Sequence, residues 1–187
     1  MNNTQRFVSI IRKRSGEHKE AMERIADFPA IMSSIIRQEL DSLVRVLYLL
    51  SIQNLEERKR LISQTLTGGK WTLTTEKGKN KKITDREMVD AATNLHGRAK
   101  YAYLFGCSFI HLSNFHNYSD RNPFDLLSRN EQIVLLAYMR QYHSGPDNDN
   151  PSFDELTLYF PAVFTKISGN LECYLEHLEN NDLGHVL

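Results

Sequence analysis

Between Ile31 and Leu50 the chain repeats apolar residues at helical spacing: Ile31, Ile35, Ile36, Leu40, Leu43, Val44, Leu47 and Leu50. Val46 and Leu49 widen the stripe. A helix apolar over so broad a face must be covered by other elements, so this segment predicts the centre of a helical bundle. Pro29 suits its first turn, where a missing N–H breaks no helical hydrogen bond. The most apolar stretch, Leu43 to Ile52, is interrupted by Arg45. It is well short of the about 20 residues that a membrane span needs.

The remaining segments read as helices with one polar interruption. Residues 4–27 carry Phe7, Ile10, Ile11, Met22 and Ile25, which predict one or two peripheral amphipathic helices broken near Ser15-Gly16. Asn54 caps the segment LEERKRLISQTL, which stops at Gly68-Gly69. From Gly68 to Ile83 the pattern changes. Thr and Trp at alternating positions around the turn EKGKN predict a small exposed β-hairpin or loop near residues 70–83. Three capping boxes follow, Thr84 with Glu87, Ser128 with Glu131 and Ser152 with Glu155, and each marks a helix start. Pro161 opens the last helix, Ala162 to about Asn180. The expectation is one all-α domain over residues 1–187, a helical bundle of five to eight helices.

Charge narrows the function. The 23 basic and 23 acidic side chains cancel, which removes the simplest argument for a nucleic-acid binder. The cancellation is uneven along the chain. Lys70, Lys77, Lys79, Lys81 and Lys82 face a single acid, Glu76, beside Trp71, whereas after Lys166 only acids remain: Glu172, Glu176, Glu179 and Asp182. The basic hairpin reads either as a solvated loop or as a grip on a phosphate backbone, with Trp71 stacking a base. The acidic segment reads as a solvent face. Cys107 and Cys173 form no CxxC pair and read as two buried thiols. The N-terminal segment has no apolar core of signal-peptide length, so a cytoplasmic protein with no membrane contact is expected.

Two further sets of residues have chemical potential. Arg37, Asp41 and Arg45 lie at i, i+4 and i+8 on the central helix. They read as an internal ion-pair ladder, or as an anion site using whichever arginine Asp41 leaves free. The segment Phe109 to Asn122 holds His111 and His116, and Arg140 and His143 lie one helical turn apart further on. Histidine as acid and base with arginine on a phosphate would suffice for metal-independent cleavage of RNA. The same histidines with Asp120 would suit a metal, and ordinary surface or hydrogen-bonded histidines are the third reading. Because His111 and His116 are five apart, they miss the i, i+4 spacing of a helical metal pair, so no metal residue and no cofactor is assigned.

The segments IIRQELDSLVRVLYLL and YLFGCSFIHLSNFH resemble those of the HEPN-like all-helical bacterial superfamily, over residues 30–66 and 84–143. The resemblance implies a core helical bundle, a homodimer, and RNA as substrate or partner. The catalytic motif of that superfamily places His four to six positions after Arg. Here Arg140 and His143 are three apart, and neither Arg121-Asn122 nor Arg129-Asn130 is followed by a suitable histidine. A non-catalytic interaction or dimerisation module is therefore an alternative. Glu20/Glu23 and Glu87/Asp90 keep a metal-dependent nucleotide hydrolase open as another.

Overall fold

The computed structural model of the chain describes residues 1–74, 80–95 and 122–183. Among the described residues there are seven α-helices, one 3₁₀ turn and one two-stranded antiparallel sheet. In chain order these are α1 (Asn3–Arg24), α2 (Pro29–Ser51), α3 (Leu55–Leu66), β1 (Thr72–Thr74), β2 (Asn80–Lys82), α4 (Asp85–Leu95), the 3₁₀ turn (Pro123–Leu126), α5 (Arg129–His143), α6 (Phe153–Thr157) and α7 (Phe160–Asn180). The all-α bundle with a small hairpin is thus observed, and no described helix is long and apolar enough to cross a membrane.

The central helix is α2. Leu40, Val46, Leu49 and Leu50 are completely buried, and α2 packs most extensively against α7 and next against α4. The facing side of α7 supplies Val163, Ile167, Leu171, Leu175 and Leu178 at steps of three and four, one apolar stripe. Each fully buried aliphatic side chain contributes about 1.5–3 kcal/mol.

The first helix departs from expectation. It runs unbroken through Ser15-Gly16, and it buries Phe7, Val8 and Met22 in the core against α3 and α7. Its start is a capping box that the sequence reading missed. Asn2 Oδ1 accepts from the Gln5 amide at 2.9 Å, and Gln5 Oε1 accepts from the Asn2 amide at 2.9 Å. An interior glycine costs a helix about 1 kcal/mol, less than the packing of this apolar face returns.

The other starts fall where the capping residues place them. Asn54 Oδ1 accepts from the Glu56 and Glu57 amides, and the boxes at Thr84, Ser128 and Ser152 all form. Gly68, at φ +74°, terminates α3 in the left-handed region that favours glycine. Cys173 is exposed, which corrects its reading as a buried thiol, and Cys107 lies outside the described residues.

Arg58 joins two helix ends. It is buried, yet its partners are neutral acceptors: Ile52 O at 3.2 and 2.9 Å, and Asn181 Oδ1 at 2.7 Å. Burial lowers its pKa, but an arginine stays protonated. Ile52 and Asn181 cap the C-termini of α2 and α7, where a positive charge also meets the negative ends of two helix dipoles.

Candidate functional site

A cleft of about 610 Å³ lies between α1, α2, the end of α3 and the hairpin. Its charged lining is Arg14 from α1, Arg45 and Asp41 from α2, Lys70 from the segment after α3, Lys82 from β2 and Asp85 from α4. Phe7, Ile11, Ile83 and Met88 supply apolar wall.

The hairpin is fixed to the bundle at its base. Arg60 donates to Thr72 O and pairs with Glu57 at 2.6 Å, and the Ile83 amide donates to Trp71 O at 3.0 Å. In the strand register Thr72 opposes Lys82 and Leu73 opposes Lys81. Successive residues of a strand point to opposite faces. Lys82 accordingly lines the cleft, while Lys81 is drawn to Glu87 on α4. Glu87 is pulled down to about 2, first by Lys81 and then by its hydrogen bonds with Thr84.

Trp71 corrects the sequence reading. Its ring is only 4 % exposed. Nε1 donates to Thr65 Oγ1 at 2.7 Å, and the ring centre lies 5.8 Å from that of Tyr48. Trp71 is therefore not an open platform for a base. The Arg45 guanidinium lies over it instead, with Cζ 5.4 Å from the ring centre.

The stripe Arg37, Asp41 and Arg45 divides into two parts. Arg37 pairs with Asp41 at 2.8 Å and is not part of the cleft lining, so the ladder reading describes this half. Arg45 lies 3.8 Å from Asp85, a loose contact, and its side chain is 44 % exposed to the cleft. Asp41 has a raised pKa because burial penalises its charge more than Arg37, Arg45 and Arg14 offset it, with Asp85 adding to the rise. Arg14 had no place in the sequence reading. It reaches the cleft by donating to Ser42 Oγ and to Gln38 O at 3.2 Å.

The expected catalytic set is not assembled among the described residues. His111 and His116 lie outside them, as do Lys77 and Lys79. Arg140 is committed to the loop after α5, donating to Pro146 O at 2.7 Å, Asp147 O at 2.9 Å and Asp149 Oδ1 at 2.8 Å. The guanidinium that was expected to hold a phosphate thus already has three acceptors in that loop. His143 is not among the residues lining the smaller cleft, about 270 Å³, that Arg140 borders. Its ring meets Tyr138 edge-on at 5.9 Å, and burial, with Lys166, lowers its pKa. Both effects favour the neutral form of the ring.

The acidic face of α7 also departs from expectation. Arg12 of α1 pairs with Glu172 at 2.8 Å and Glu179 at 2.7 Å, which ties the first helix to the last. Neither acid can be inferred to have this partner from local spacing.

The 610 Å³ cleft is the candidate site formed by the described residues. Its described lining contains four cations and two carboxylates, but no histidine or cysteine, so it offers charge rather than a proton-transfer group of pKa near 7. Among the described residues no group of three or more His, Cys, Asp or Glu side chains could hold a metal ion. No protein-family model, curated protein or solved structure matches this chain.

Proposed function

We propose that this protein binds nucleic acid by taking a stretch of phosphate backbone into the cleft between α1, α2 and the hairpin. One observation carries the reading: Arg14, Arg45, Lys70 and Lys82, from four separate segments, line a single concavity. Cations in a concave, low-dielectric wall focus potential and attract phosphate. The cleft unites the anion-binding candidate Arg45 with Lys70 and Lys82 of the hairpin, which are far apart in sequence.

In this reading the polymer is RNA, as the HEPN-like resemblance implies, and the compartment is the cytoplasm. The role in this reading is binding: the described lining is dominated by four cations, with Asp41 and Asp85 as its carboxylates. The homodimer implied by the same resemblance is checked by light scattering of the purified chain.

The test is a titration of fluorescent RNA with the full chain across a salt series. Four phosphate contacts to a single strand give a slope of log K against log salt of about −3. Replacing Lys70 and Lys82 together by Ala should flatten that slope by about 1.4. Binding that ignores both salt and these two lysines would overturn the proposal. Gel analysis of the same mixtures with and without EDTA separates binding from cleavage.

A further inference from the structure

We infer that the cleft also takes up an unpaired nucleobase, stacked on the open side of the Arg45 guanidinium, which Trp71 supports from beneath. This rests on the nucleic-acid reading above and narrows its ligand to single strands.

The support is rigid. Trp71 is held through Nε1 to Thr65, through its carbonyl to Ile83, and through its ring to Tyr48. A buried ring fixed in this way positions a cation above it, within the about 6 Å at which a guanidinium and an indole attract. A guanidinium is planar, delocalised and weakly hydrated, so it stacks on a π-face from either side. Arg45 Cζ lies 5.4 Å from the Trp71 ring centre, and nearly half of its side chain is exposed where it borders the cleft. The contact to Asp85, at 3.8 Å, is longer than a hydrogen bond and does not occupy the guanidinium fully.

The charge pattern selects the same ligand. Asp41 and Asp85 share the lining with the cations and repel any ligand that is anionic throughout. A strand that alternates phosphate with an uncharged aromatic base suits a lining that holds Lys70 and Lys82 together with the Arg45–Trp71 pair. The volume of about 610 Å³ lies within the about 300–1,000 Å³ typical of small-ligand sites. Unpaired bases stacked on arginine planes are a common mode of single-strand recognition, whereas a duplex keeps its bases stacked on each other.

Trp71 is the single tryptophan of the chain, so its fluorescence reports on this cleft alone. The full chain is titrated with a short single-stranded RNA, an abasic ribose-phosphate strand of equal length, a duplex of the same sequence, and inorganic polyphosphate. The single strand should alter Trp71 emission and bind at least about fivefold more tightly than the abasic strand, since stacking one base is worth about 1–3 kcal/mol. Arg45→Lys keeps the charge and removes the plane. It should retain the salt slope of wild type while the preference for bases falls below about threefold. Equal binding of the abasic strand, or of polyphosphate, with a steep salt slope would overturn the stacking and leave backbone binding intact. If none of the four probes binds, both inferences fall. The wild-type comparison decides the question without any variant, and a thermal melt checks that Arg45→Lys is folded.

Discussion

The helix α2 carries two polar patches only a few residues apart, and they are handled in opposite ways. Glu39 is completely buried between α1 and α2, yet both its oxygens are occupied: Ser15 donates to one, and His18 Nδ1 lies 2.7 Å from the other. Arg45, less than two turns onward, faces an open cleft with an aromatic ring beneath it and a carboxylate at 3.8 Å. Burial demands full pairing, because an unsatisfied charge without water is expensive. Groups left half-paired are tolerated where water reaches them, and they are the ones a ligand can engage. The polar patch that joins helices and the polar patch that meets a ligand are thus distinguished by how many partners are already present.

That contrast can be broken most severely at the buried end. Glu39→Leu should cost about 3 kcal/mol, since it strands Ser15 and His18 between two helices. In a thermal melt this is a fall on the order of 10 °C. The cleft counterpart, Asp85→Asn, should leave stability within about 0.5 kcal/mol of wild type, because the ion pair it removes is exposed and long. Equal melting of the two variants would abolish the distinction.

A second pair of arginines sharpens it. Arg58→Met leaves Ile52 O and Asn181 Oδ1 without their buried donor and should cost about 2 kcal/mol. Arg45→Met should cost less than about 1 kcal/mol in stability but lower RNA affinity several-fold. Denaturant unfolding and RNA titration of both variants read the two effects separately.

The carboxylates of the cleft should act in the reverse sense. Asp41→Asn or Asp85→Asn removes a repulsion and should raise affinity for RNA about two- to fivefold, within the scale of one exposed charge pair. Because the Asp41 pKa is raised by burial, it protonates at higher pH than an ordinary aspartate of pKa 3.8. Affinity should therefore rise on acidification earlier in wild type than in Asp41→Asn, which a binding series in decreasing pH reads directly.

The smallest effect lies beside the cleft, at Glu87. Its folded pKa of about 2 is depressed from 4.5. Its contribution is accordingly present above pH 4.5 and lost as pH falls through about 2. Amide signals of Thr84 and Glu87 followed by NMR should keep their capped positions to pH 3, and Glu87→Ala, which removes the acceptor, should shift the Thr84 amide at neutral pH.

The sequence was most legible where the chemistry is local. The caps at Asn54, Thr84, Ser128 and Ser152 each satisfy amides within three residues, so four helix starts could be placed from spacing alone. Pro29 and the wide apolar stripe of α2 worked for the same reason. The reading failed where a distant contact decides the outcome. Lysines and threonines around Trp71 describe a solvated hairpin, and only Tyr48 and Thr65, brought in by packing, bury the ring. Gly16 looks like a break until the Phe7–Val8 face finds the core. Arg140 and Arg45 look alike as phosphate groups in sequence, and only the course of the 146–149 loop shows that Arg140 is already engaged. Arg14 was missed because nothing within its own helix points it toward Ser42.

The Arg58 clamp bears on how the chain is made. It joins groups 123 residues apart, and the apolar face of α2 finds its largest cover in α7. At a synthesis rate of about 5–20 residues per second, α2 therefore leaves the ribosome many seconds before its principal partner exists. During that interval a strongly apolar helix is exposed. Nascent chains halted before residue 160 should be held by chaperones, and those extended past Asn181 should release them.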